Sequence, residues 1–155
     1  MRFFLFIPFL ILSITAKCQE YSSEELEVID PINRLFTAMN EADPESLQDA
    51  FYSEASMFTV YKKNDSTQLV KGELSKFIEG ISKAQPGMLE EKIWNLKIEI
   101  DPPLAQVWCD YALYVNSQFH HCGVDAFQLI QTSAGWKIFE VADTRRKEDC
   151  TEPPK

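Results

Sequence analysis

The sequence predicts an α+β domain: amphipathic helical segments gather at the front, alternating strands fill the back, and short polar turns join those strands. With 155 residues, 45% of them hydrophobic, one well-buried core and one ordinary domain are expected.

A capping box announces the first helix. Ser22 is followed three residues on by Glu25, and Ile29, Ile32, Leu35, Phe36 and Met39 then recur on one face. Pro31 interrupts the run, so the helix either kinks there or restarts with Asp30 as its cap; both versions bury the same face. Asp43-Pro44-Glu45 repeats the start signal for a short second helix whose Leu47 and Phe51 face inward. Residues 57–62 alternate as a strand, 63–66 form a polar turn, and 67–70 return as its partner. Leu74, Phe77, Ile78 and Ile81 mark a third helix, which Pro86-Gly87 ends.

Only strands follow. Trp94, Leu96, Ile98 and Ile100 alternate with Asn95, Lys97 and Glu99, placing one face in the core and the other in water. After a turn at Asp101-Pro102-Pro103, residues 105–115, 119–131 and 136–143 read as three long antiparallel strands joined by three-residue loops. The tail 147–155 is polar and frays unless Cys150 ties it down.

The front of the chain, residues 1–18, reads as a signal peptide. Arg2 is followed by an apolar run over 3–14, and Ala16-Lys17-Cys18 offers small residues where a signal peptidase inspects, so cleavage is expected before Gln19. The protein is therefore expected to be exported, periplasmic or secreted. A membrane anchor is the weaker reading, because the run falls short of the roughly 20 residues that cross a bilayer core. Lipidation of Cys18 is a third reading, against which the charged Lys17 stands. The formal charge is −9, and loss of Arg2 and Lys17 with the leader would make it two charges more negative. Such an excess repels nucleic acid and anionic lipid, so neither partner nor stable membrane insertion is expected. Cys109, Cys122 and Cys150 remain after cleavage; they lack close CxxC spacing, and only His120 and His121 could assist them, so no metal and no cofactor is expected.

Phe36-Thr37-Ala38-Met39-Asn40 with Asp43, and Gly135-Trp136-Lys137-Ile138, are similar to patterns of small exported bacterial members of the nuclear transport factor 2-like superfamily. The order of elements resembles that superfamily too, over about Ser23 to Arg146, giving a domain at 19–146. The resemblance implies a strongly curved antiparallel sheet, a cystatin-like cone, shared with ketosteroid isomerase and SnoaL-like cyclases. It also implies dimerisation through the open side of the sheet. There Trp108, Asp110, Tyr114, Val124, Ala126, Ile130 and Ile138 form an expected patch that marks a partner.

The loop lengths pair Val115 with Phe119 and Thr132 with Trp136. Leu113 then faces His121, Tyr111 faces Gly123, Cys109 and Asp143 both flank Asp125, Phe139 faces Leu129, and Arg145 faces Gly123. One sheet face thus changes from apolar to polar along its length, and its polar end gathers Asp125, Asp143, Arg145, His121 and the Tyr111 hydroxyl. Two facing carboxylates in a partly dry cavity cannot both ionise cheaply, so the pair could divide acid and base roles with Arg145 and Tyr111 as stabilisers. Alternatively Asp125 and Arg145 form a structural ion pair at a solvated strand end. In residue types, Asp with Arg and Asp resembles the epoxide hydrolases of the superfamily, and Asp with Tyr resembles ketosteroid isomerase; no role is carried over by position. His120 and His121 fall on opposite strand faces, which leaves His121 alone as a candidate ligand contact beside Tyr111 and Trp94.

The same registers bring Cys122 near Arg146, four residues before Cys150, and turn Cys109 to the other face. A Cys122–Cys150 disulfide with Cys109 as a buried free thiol is expected; three reduced thiols are the alternative. The leading expectation is a domain that binds a small, partly apolar molecule, as a homodimer. A cofactor-free hydrolase or isomerase using Asp125 and Asp143 with Arg145, and a structural partner-binding domain with a filled interior, are the alternatives.

Overall fold

The computed structural model describes residues 20–151. The expected leader with its cleavage point before Gln19, and the last residues of the tail, lie outside the described residues. The elements are α1 Ser23–Glu41, α2 Pro44–Ala50, β1 Phe51–Lys63, β2 Ser66–Gly72, α3 Leu74–Ser82, β3 Leu89–Asp101, β4 Leu104–Val115, β5 Gln118–Thr132 and β6 Gly135–Thr144.

Local chemistry sets the helix ends. The Ser22 hydroxyl accepts from the Glu25 N–H at 3.2 Å, and the Glu25 carboxylate accepts from the Ser22 N–H at 2.7 Å. Asp43 caps α2 by accepting from the N–H groups of Glu45 and Ser46. Pro31 neither ends α1 nor restarts it: the helix runs through it as one element and buries the ring.

The six strands form one sheet in the order β2-β1-β6-β5-β4-β3. β3 to β6 make the expected antiparallel meander, but β1 lies parallel to β6, with Met57 opposite Val141 and Thr59 opposite Asp143. The expected strongly curved, purely antiparallel cone is thereby corrected to a mixed, open sheet that is neither closed nor strongly curled, with β2 and β3 as free edges. The physical reason is that the β1–β2 hairpin docks on β6, a strand remote in sequence, and nothing joins its outer edge to β3.

Val28, Ile32 and Leu35 of α1 and Leu47 of α2 share one core with Val107, Phe127, Leu129 and Ile138 of the sheet. Each such side chain, fully buried, stabilises the fold by about 1.5–3 kcal/mol.

Besides an irregularity in β1 between Phe51 and Ser56, bulges in β3, β5 and β6 adjust which side chains reach that core. Between Trp94 and Lys97, β3 gains one residue relative to β4; Asn95 there adopts φ 55°, and its side-chain amide donates to Asp110 at 2.8 Å. The phase of the strand inverts at this point: Leu96, Ile98 and Ile100 pack on the core, whereas Trp94 joins Ala112 and Cys122 in a separate small cluster. His120 is the extra residue between the Leu113–His121 and Tyr114–Phe119 pairs, and Phe139 the extra one between the Gln128–Glu140 and Leu129–Ile138 pairs. Both loops flanking β5 are one residue shorter than expected, since Val115 pairs with Gln118 and Thr132 with Gly135. Each bulge offsets one shortened loop, so Asp125 still opposes Asp143. Ile138, expected on the outer patch, is fully buried in the main core instead.

Cys122 and Cys150 are joined, closing the tail onto β5, and Cys109 is a buried free thiol.

Candidate functional site

Where the inner sheet face runs beyond the main core, a cavity of about 720 Å³ opens beside α1 and α3. Leu35, Phe36 and Met39 of α1 and Phe77 and Ile81 of α3 give it apolar walls. Lys71, Glu73 and Lys76 stand on its β2–α3 side, and the polar groups on the sheet face are Thr59 on β1, Glu91 on β3, Tyr111 on β4, His121 and Asp125 on β5, and Asp143 with Arg145 at the end of β6. An apolar chamber with a few convergent polar groups is the usual build of a small-molecule site.

The polar groups fall into two sets. Asp143 is fully engaged: Arg145 Nε donates to its Oδ2 at 2.6 Å, Thr59 Oγ1 donates to its Oδ1 at 2.7 Å, and the Tyr111 hydroxyl lies 3.4 Å from Oδ2. Asp125 is only 4% exposed, and its Oδ2 meets no N–H or hydroxyl donor. The charged neighbour that acts on it most strongly is the carboxyl of Glu91. Burial, reinforced by the charge of Asp143, raises Glu91 to about 7. Burial and the adjacent Glu91 raise Asp125 well above its ordinary value. Both carboxyls are therefore shifted toward the protonated form relative to isolated ones.

Tyr111 is locked in place. Its hydroxyl donates to the Thr144 carbonyl at 2.9 Å, and its ring crosses Gly123. A Cβ on Gly123 would stand 1.8 Å from the Thr144 oxygen and 2.7 Å from Tyr111 Cε1, so only glycine allows this approach. Burial, then the surrounding carboxylates, push the phenol far above its ordinary value, so it serves as a hydrogen-bond donor. His121 packs edge-on against Tyr111 with ring centroids 5.6 Å apart; burial and the neighbouring Arg145 lower it to about 4. The Cys109 thiol is pushed far up by burial and offers no nucleophile.

The structure thus brings together Asp125, Asp143, Arg145, Tyr111 and His121 as expected, and leaves Trp94 out, packed in the other cluster. His120 is not turned away from its neighbour: the bulge brings the two Nδ1 atoms to 2.6 Å. Glu91 and Thr59 were not legible as site residues. Counting back in twos from Trp94 sends Glu91 outward; Asn95, a residue suited to positive φ inside a strand, is the signal that would have reversed the count. No group of three or more His, Cys, Asp or Glu side chains suited to a metal ion occurs among the described residues.

The protein-family model described as "Putative lumazine-binding" matches residues 23–141. No curated protein matches the chain. Among solved structures, an NTF2-like protein of unknown function from Shewanella baltica superposes with a TM-score of 0.62 at 17% identity, over 84% of this chain and 100% of that one. A protein of unknown function with a cystatin-like fold from Nostoc punctiforme gives 0.64 at 12% identity, over 84% and 97%. The association domain of C. elegans CaMKII gives 0.59 at 12% identity, over 78% and 95%. At these identities the likeness is one of fold, and the fold is NTF2-like. The chain belongs to the family whose model it matches over 23–141.

Proposed function

We propose that this family member binds a small, partly apolar molecule in the cavity between α1, α3 and the inner sheet face. The carrying observation is the cavity itself: about 720 Å³, apolar on the helix side and ending on the Glu91–Asp125 pair, where a buried Asp125 oxygen lacks a nitrogen or hydroxyl donor. A ligand hydroxyl, amide or ring N–H would complete that oxygen, and the apolar walls would take the rest of the molecule. An open chamber of this size argues against a structural domain with a filled interior. Native mass spectrometry of the protein from its own source tests the reading. A retained small molecule, released on denaturation, is expected; protein that is empty there and shows no shift with a panel of apolar alcohols and heterocycles overturns it.

A second reading, a cofactor-free hydrolase or isomerase, rests on the same carboxyls. Asp143 is occupied by Arg145, Thr59 and Tyr111, so the groups able to pass a proton are Asp125 and Glu91, with Asp143–Arg145 and Tyr111 as fixed electrostatic partners. Turnover that D125N abolishes while ligand retention persists would favour it.

Export with cleavage before Gln19 belongs to the same proposal, and intact mass of the extracytoplasmic protein decides it. So does a homodimer through the outer sheet face, where Leu104 and Trp108 are each 50% exposed. Sedimentation should give a dimer that W108E converts to a monomer.

A further inference from the structure

A second cavity of about 470 Å³ adjoins the first and shares Thr59, His121 and Arg145 with it. The rest of its lining is Lys62, His120, Arg146 and Lys147 with Tyr61 and Val70; among the described residues no carboxylate lines it. In a chain of net charge −9 this concentration of cations runs against composition. Arg145 is paired with Asp143, but among the described residues Lys62, Arg146 and Lys147 form no ion pair. Like charges gathered around one space repel unless an anion enters it.

The cluster is built rather than incidental. The Arg145 N–H donates to the Val60 carbonyl of β1 at 3.3 Å, and Arg146 exchanges both backbone hydrogen bonds with Cys122 of β5, at 2.9 Å each. The Cys122–Cys150 bond then closes the following residues onto β5. Arg145, Arg146 and Lys147 are therefore mounted on a strand extension pinned from both sides, and line the cavity together with Lys62. Tyr61 and Val70 supply an apolar margin continuous with the first chamber through Thr59.

We infer that this basic cavity holds the anionic group, a carboxylate or a phosphate, of a ligand whose apolar body lies in the main cavity. The inference rests on the proposed ligand-binding reading and names the class of ligand. The Glu91–Asp125 end would repel a second anionic group, so the ligand is anionic at one end only. His121, held neutral by burial and its cationic neighbours, can take up a proton as the anion arrives.

Calorimetric titration of the oxidised protein with decanol, decanoate and decyl phosphate tests this. Decanoate or decyl phosphate should bind roughly tenfold more tightly than decanol, equivalent to about 1.4 kcal/mol, and the advantage should shrink with added salt. The tighter of the two anions identifies the headgroup. K62Q/K147Q, which alters two exposed side chains, should collapse the ratio of anion to alcohol affinity. Equal affinities for alcohol and anions, or a ratio that survives K62Q/K147Q, overturn the inference and leave the apolar cavity reading standing. Failure of all three probes to bind removes both.

Discussion

One face of β4, β5 and β6 carries two regions that the same strands build in opposite ways. Toward one end Val107, Phe127, Leu129 and Ile138 lie against α1 and α2 with almost no exposed surface. One pair further along β5, at Asp125 opposite Asp143, the side chains become Glu91, Tyr111, His121 and Arg145 around an open cavity. Residue type and helix cover change between them. The dry end gains stability from area removed from water, whereas the polar end buries carboxyls that must keep a proton or a cation. The fold separates what holds it together from what lines its open cavity, along a single sheet face.

Substitution at the dry end should have the largest effect. F127A removes a ring that is 1% exposed and packs edge-on against Phe36, and should cost about 3–5 kcal/mol in urea unfolding. A much smaller loss would mean that the two ends are not energetically distinct. Next is the tie beyond the polar end. Replacing Cys122 and Cys150 with serine should cost about 2–4 kcal/mol, with the tail 147–151 gaining amide exchange before the strands do.

The smallest effect, and the one that most sharpens the contrast, is E91Q. Burial raises Glu91 to about 7 from an ordinary value of 4.5 and raises Asp125 with it, so the folded protein keeps a proton that the unfolded chain has released. Stability contributed by the pair is present at acid pH and is lost as pH rises across that interval. His121, lowered to about 4 from 6.5, acts in the opposite sense, since the unfolded chain binds its proton first and stability rises with pH over that range. Removing the Glu91 carboxyl deletes its share of the first contribution, leaves the part that burial imposes on Asp125, and leaves the second. E91Q should therefore lie within about 1 kcal/mol of the parent near pH 5 and gain on it toward about pH 8. Parallel stability profiles for E91Q and the parent would show that Glu91 is not raised in the folded protein. A dry-end variant such as F127A should keep the parent's pH profile.

Much of this was legible. Ser22 with Glu25, Asp43-Pro44 and the apolar spacing of α1 announce themselves because caps and helical faces are encoded within a few residues. The facing of Asp125 and Asp143, the closeness of Arg145 and Tyr111, and the Cys122–Cys150 bond follow from hairpin register, which is also local. That register survived an error of one residue in each loop because a bulge at His120 and another at Phe139 offset it.

Helix ends, the α+β order, the facing of Asp125 and Asp143 and the nearness of Cys122 to the tail are written in the sequence, since each depends on spacing along one segment or across one short turn. Tertiary structure alone decided that β1 runs parallel to β6, bringing Thr59 to Asp143, and that the Asn95 bulge turns Glu91 inward and Trp94 out. A strand pairing across some eighty residues of chain leaves no local periodicity, and a single inserted residue inverts every side chain beyond it.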